Sequence, residues 1–122
     1  MNRLFRLVAL VALLCFPMRI EAQYQLIELA DVQLAKSLGA TIQGSTGAPV
    51  PKAAVQEFSA DWKTVLRSTS TDTDGRFSFT PLRSKKIYFI QISAPGFDPL
   101  RLHLQVDVKR GASLKLKLTI AT

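Results

Sequence analysis

From Leu100 to Val108 and again from Leu114 to Ile120 apolar residues fall on every second position, and this alternation restricts the fold more than any other stretch of the chain. Leu100, Leu102, Leu104, Val106 and Val108 alternate with Arg101, His103, Gln105 and Asp107. After a turn at Lys109-Arg110-Gly111, Leu114, Leu116, Leu118 and Ile120 alternate with Ser113, Lys115, Lys117 and Thr119. A period of two belongs to strands, whose successive side chains point to opposite faces. Two half-buried strands are expected here, each with one face on a core and one in water.

The same reading extends upstream. Lys86 to Ser93 reads as a central strand, with Tyr88, Ile90 and Ile92 on one face and Ile87 and Phe89 on the other, and Ala94-Pro95-Gly96-Phe97 stops it. Arg76-Phe77-Ser78-Phe79 alternates strictly, so Phe77 and Phe79 are expected in the core. Before it, Asp72-Thr73-Asp74-Gly75 is a turn: aspartates cap their own backbone and Gly75 can take a positive φ. Thr64 to Thr71 is β-branched and polar, a strand with at least one wet face. Gly39–Gln43 and Ala53–Phe58 are further strands, separated by Gly44-Ser45-Thr46-Gly47 and by Pro49 and Pro51, which cannot donate to a ladder. No segment alternates helices with strands, so a parallel α/β sheet is not expected. The expected fold is all-β, a seven-stranded antiparallel β-sandwich of the Ig-like kind, over residues 38–122.

Residues 23–37 are ambiguous. Leu26, Ile27, Leu29, Val32 and Leu34 suit an extended segment, while Leu26, Leu29, Gln33 and Leu38 also suit one helix face. An N-terminal arm or strand is expected, with a short helical turn near Leu34. Residues 1–22 read as a secretory signal: Arg3 and Arg6 begin it, Leu7 to Phe16 is uncharged and mostly aliphatic, and Ile20-Glu21-Ala22, with small Ala22 last, serves as the cleavage site. The run is short for a membrane span, which needs about 20 apolar residues. Cys15, the only cysteine, follows Leu14 and so lacks the small residue that precedes a lipid-bearing cysteine. Its loss with the leader would leave a chain without disulfide or thiol chemistry. The expected location is therefore secreted or periplasmic, with no membrane span after processing.

Removing Arg3, Arg6, Arg19 and Glu21 with the leader leaves 13 of the 16 basic and 8 of the 9 acidic residues, a net charge of +5. A basic surface favours anionic polysaccharide, lipid headgroups or nucleic acid, and secretion argues against the last. Reactive constellations are scarce. His103 is the single histidine, on the polar face of its strand, where a surface side chain is expected; clustered zinc ligands cannot be assembled from it. No G-x-S-x-G elbow accompanies it. Asp72 and Asp74 match only a fragment of a calcium loop, and a hairpin turn accounts for both. No cofactor or metal is expected. Trp62, beside Phe58, offers an aromatic platform for a sugar or a partner's hot spot, or else a cap over the end of the sandwich. Arg83, Lys85 and Lys86 form a basic turn that could meet an acidic partner.

The opening Gly39-Ala40-Thr41-Ile42, Ser45-Thr46-Gly47-Ala48-Pro49-Val50-Pro51 and Ala53-Ala54-Val55 resembles that of the carboxypeptidase regulatory-like domain. Thr71-Asp72-Thr73-Asp74-Gly75-Arg76-Phe77 resembles the middle turn of that family, and Tyr88 to Phe97 its later strand and stop. The resemblance implies a transthyretin-like or prealbumin-like seven-stranded sandwich of secreted or envelope proteins of bacteria, a non-catalytic folding or interaction unit that accompanies peptidases and outer-membrane receptors. It makes the expected function protein interaction or structural support at the cell envelope, by exposed strand edges or turn loops. A small carbohydrate-binding accessory module, carried by Trp62, is the alternative, and the partner is accordingly a protein or a polysaccharide.

Overall fold

A computed structural model describes residues 24–82 and 87–122. Nine strands carry the described chain: β1 Ile27–Glu28, β2 Gln33–Ala35, β3 Gly39–Gln43, β4 Ala54–Phe58, β5 Val65–Ser70, β6 Arg76–Ser78, β7 Ile87–Ser93, β8 Leu100–Val106 and β9 Lys115–Lys117. The larger sheet runs β1-β8-β7-β4-β5, with β2 also beside β8, and the smaller runs β6-β3-β9. The two sheets face each other as a sandwich, as the alternation requires.

The core is built from the inward positions of each strand. Val55, Tyr88, Ile90, Ile92, Leu100, Leu102 and Leu104 come from the larger sheet, and Ala40, Ile42, Phe77 and Leu116 from the smaller. Each large aliphatic or aromatic side chain buried this way contributes about 1.5–3 kcal/mol of transfer free energy. β7 sits centrally between β4 and β8, with Ile90 opposite Glu57 on one side and Leu102 on the other. The Tyr88 hydroxyl reaches the sandwich rim, accepting the Leu82 N–H at 2.7 Å and donating to the Leu82 carbonyl at 3.1 Å.

Several local expectations change. There are nine strands, not seven, because the segment before Leu38, expected as an arm or strand, forms two short strands, without the helical turn near Leu34. Three pairings, β1–β8, β2–β8 and β3–β9, are parallel, so both sheets are mixed. Alternation reports which face a side chain occupies; it carries no information on the neighbour or its direction. Gln33–Ala35 lies beside β8 with Ala35 buried, which suppresses the helical alternative near Leu34. The run through Val108 stops at Val106, since Asp107 Oδ1 accepts the N–H groups of Lys109 and Arg110 and turns the chain, leaving Val108 exposed. Phe79 lies just past β6 and is only half-buried, packed against the core with its ring edge-on to Phe77 at 6.1 Å.

The acidic turn behaves as expected. Asp72 Oδ1 accepts the N–H groups of Asp74 and Arg76, each at 2.9 Å. Gly75 has φ 76°, and its carbonyl accepts the Ile42 N–H at 2.7 Å; a Cβ there would collide with the Ile42 carbonyl. The turn therefore ties β6 to β3 through a residue that must be glycine.

Edge strand β5 carries two safeguards against pairing with another chain. A register shift opposite Glu57/Phe58 bulges it, and Arg67 points inward to the buried Glu57 carboxylate, Nε to Oε1 at 2.6 Å. Bulges and inward charges both blunt sheet edges.

Candidate functional site

The outward positions of the larger sheet form an ordered row. Phe58 on β4 lies opposite Phe89 on β7, and Phe89 lies opposite His103 on β8. The next row brings Gln56, Gln91 and Arg101 together. Over both rows folds the β4–β5 loop, which carries Trp62. Its ring centroid is 5.6 Å from Phe58, 5.6 Å from Phe89 and 6.1 Å from His103, the last two edge-on. The Arg101 guanidinium sits 4.6 Å from the Trp62 ring centre, and its Nε donates to Gln91 Oε1 at 2.8 Å. Cation–π contact of this kind is worth about 0.5–2 kcal/mol, depending on desolvation.

The loop is built to hold Trp62 in that position. Ser59 donates its N–H to the Thr64 carbonyl and accepts, at its own carbonyl, the Trp62 N–H, both at 2.9 Å. Asp61 Oδ1 accepts the Ser59 hydroxyl at 2.5 Å and the Lys63 N–H at 3.0 Å. The Ser59 hydroxyl first, and the Lys63 N–H second, stabilise the carboxylate and hold the Asp61 pKa below its usual value. Trp62 itself has φ 63°, a left-handed conformation rarely taken by a bulky side chain. Local strain of this sort persists only where surrounding structure over-determines it.

Phe58 and Trp62, paired from the sequence, are thus in direct contact. Arg83, Lys85 and Lys86 lie outside the described residues, as do residues 1–22 with Cys15, the segment expected to be a secretory signal. His103 is not the plain surface side chain expected of it: it is half-buried, its ring stands 5.0 Å from Phe89, and its Nδ1 is buried without a hydrogen-bond partner. Phe89, Arg101, His103 and Gln91 escaped the sequence reading as a group. The alternation already placed Phe89, His103 and Arg101 on outward faces, but only the register of β4, β7 and β8 brings them under one loop.

The groups gathered on this face are suited to recognition. Among the described residues no three His, Cys, Asp or Glu side chains gather as a metal site. No described helix is long and apolar enough to cross a membrane. Rings, a guanidinium and amide side chains offer stacking, cation–π contact and hydrogen bonds. Elsewhere, an apolar groove of about 480 Å³ lies between Tyr24, Pro95, Phe97 and Pro99 at one end of the sandwich.

The family model for the carboxypeptidase regulatory-like domain matches residues 37–119. The chain belongs to that family. No curated protein sequence matches it. The carboxypeptidase regulatory-like domain is a β-sandwich module that is generally non-catalytic, and its sandwich agrees with the all-β architecture of this chain.

Proposed function

We propose that this carboxypeptidase regulatory-like domain is a non-enzymatic interaction module of the cell envelope, exported to the periplasm or beyond, which holds a protein partner through the Trp62 face of its larger sheet. The observation that carries the reading is Trp62 itself, a bulky residue kept at φ 63° over Phe58, Phe89 and His103 on the solvent side of the sandwich. A core role does not need that strain, because the core lies on the other face. Binding energy at protein interfaces concentrates in Trp, Tyr and Arg, and Trp62 and Arg101 are stacked here. Loop contact is favoured over strand addition at β5, whose edge is bulged and carries an inward charge.

The test is fractionation of the native source followed by crosslinking and co-purification with wild-type protein and Trp62→Ala. Recovery in the envelope fraction of a partner that Trp62→Ala no longer retains is the expected result. Cytosolic full-length protein, or the same partners with both proteins, overturns the reading. A second reading, glycan stacking on Trp62, draws on the Gln91 and Arg101 side chains beside the ring, since planar polar groups next to an aromatic suit sugar hydroxyls. Trp62-dependent retention of a neutral glycan, without any protein partner, would select it.

A further inference from the structure

The outward face of the smaller sheet has a chemistry unlike that of the larger. Thr41 in the middle of β3 lies opposite Arg76 on β6 and opposite Lys115 on β9. Strands lie about 4.8 Å apart, so the two cationic residues stand about 10 Å apart at their backbones, one on each side of the Thr41 hydroxyl. Lys117, opposite Gln43, continues the row about 7 Å further along β9. Ala40, Ile42, Phe77 and Leu116 take the inward positions, so Arg76, Lys115 and Lys117 point to solvent. A shallow cleft of about 310 Å³ lies over this register, and Ser37, Thr41, Ser113, Arg76 and Lys115 line it without an acidic residue.

Among the described residues the salt bridge is Arg67–Glu57, and neither Arg76, Lys115 nor Lys117 enters it. Asp72, on the adjoining turn, accepts the N–H groups of Asp74 and Arg76. The floor is fixed as well: Gly39 lets β3 approach β6 so closely that a Cβ would strike the Phe77 carbonyl.

We propose that this trough binds an anionic polysaccharide, with Arg76 and Lys115 clamping one oxyanion above Thr41, the serine hydroxyls bonding neighbouring sugar groups, and Lys117 meeting the next charge along the chain. The face itself selects among polyanions. A membrane-surface site places apolar side chains beside its cations, and the outward positions here are Arg76, Ser78, Thr41, Gln43, Lys115 and Lys117. An acidic protein needs an apolar interface core, and single-stranded nucleic acid needs stacking rings; the outward row supplies neither. A flat row of separated charges with hydroxyls between them suits a polymer of repeating charge.

Immobilised alginate, a polyuronate, tests this against neutral dextran and against phosphatidylcholine vesicles containing phosphatidylglycerol. Wild-type protein is expected to bind alginate at low ionic strength, to be released by salt, and to ignore dextran. Arg76→Ala with Lys115→Ala should bind about tenfold more weakly, the loss expected from two exposed charge contacts, while its melting temperature stays near wild type. If that pair of changes prevents folding, Lys115→Gln with Lys117→Gln on the open face of β9 serves the same purpose. Trp62→Ala should keep full alginate binding, which separates failure here from failure of the Trp62 face. No alginate binding, equal binding by wild type and the charge variants, or binding to vesicles alone overturns the proposal.

Discussion

Arg67→Met tests the least expected feature of the core, a carboxylate between the two sheets. Glu57 occupies an inward position of β4 and is 1% exposed, while Arg67, across from it on β5, is 27% exposed. Arg67 Nε meets Glu57 Oε1 at 2.6 Å, its Nη1 donates to the Thr80 carbonyl at 2.8 Å, and its guanidinium lies 4.8 Å from the Phe79 ring centre. Methionine keeps much of the aliphatic stem and deletes the charge. Removing one member of a buried pair costs about 3–5 kcal/mol. Arg67 is partly solvated and Glu57 has a further interaction, so the low end, about 3 kcal/mol, is expected. In a domain of about 100 residues that loss lowers the melting temperature by about 12–24 °C. Urea unfolding followed by far-UV circular dichroism and by the fluorescence of the single tryptophan measures it. Glu57→Leu combined with Arg67→Met should recover most of the loss, because an apolar pair replaces both charges. A single variant within about 1 kcal/mol of wild type, or a double variant no better than the single, would refute the reasoning.

Other expectations concern turns and the Trp62 loop. Trp62→Gly should be more stable than Trp62→Ala by about 1 kcal/mol in urea unfolding followed by far-UV circular dichroism alone, since glycine takes φ 63° freely and alanine does not. Gly75→Ala should cost about 2 kcal/mol or more, from its positive φ and the clash with the Ile42 carbonyl, read as a lower urea midpoint with unchanged slope. Asp61 has a folded pKa below the ordinary aspartate value of 3.8. Its contribution to loop order is therefore complete above that value and is lost as pH falls through the depressed one. Trp62 fluorescence should change in that acid window in wild type, and Asp61→Asn should abolish the transition.

The chain declares its faces more openly than its neighbours. Period two in β7, β8 and β9 identified Tyr88, Ile90, Ile92, Leu102, Leu104 and Leu116 as inward, and all are buried. The Asp72–Gly75 turn was equally legible, because its side chains bond their own backbone and need nothing distant. Pairing direction was not legible. β2 lies parallel to β8 across some seventy residues of sequence, held there by the burial of Ala35 and by backbone hydrogen bonds to Asp107 and Ala112 that no local pattern announces. The aromatic cluster was half legible for the same reason. Phe58 and Trp62 are four residues apart, whereas Phe89 and His103 arrive through register alone. Glu57 was hidden by its own chemistry: a charge at an inward position breaks the binary pattern unless its partner on the next strand is known.

A sandwich of this size commits its inward positions to stability, so its recognition chemistry must sit on outward positions and loops. The two sheets divide that chemistry. On the larger, rings and amides gather under a loop that holds Trp62 in a strained conformation; on the smaller, Arg76, Lys115 and Lys117 flank Thr41 and Gln43 with no ring among them. Because the faces are opposite sides of one core and share no residue, changes at one should leave the other intact, as contacts without common partners usually add independently. Trp62→Ala combined with Arg76→Ala and Lys115→Ala should therefore lose the protein partner and alginate together, each to the extent that the separate variants lose it. Alginate affinity that falls further in the combined variant than in the charge variant alone would mean that one ligand spans both faces, and the two sheets would then form one site rather than two.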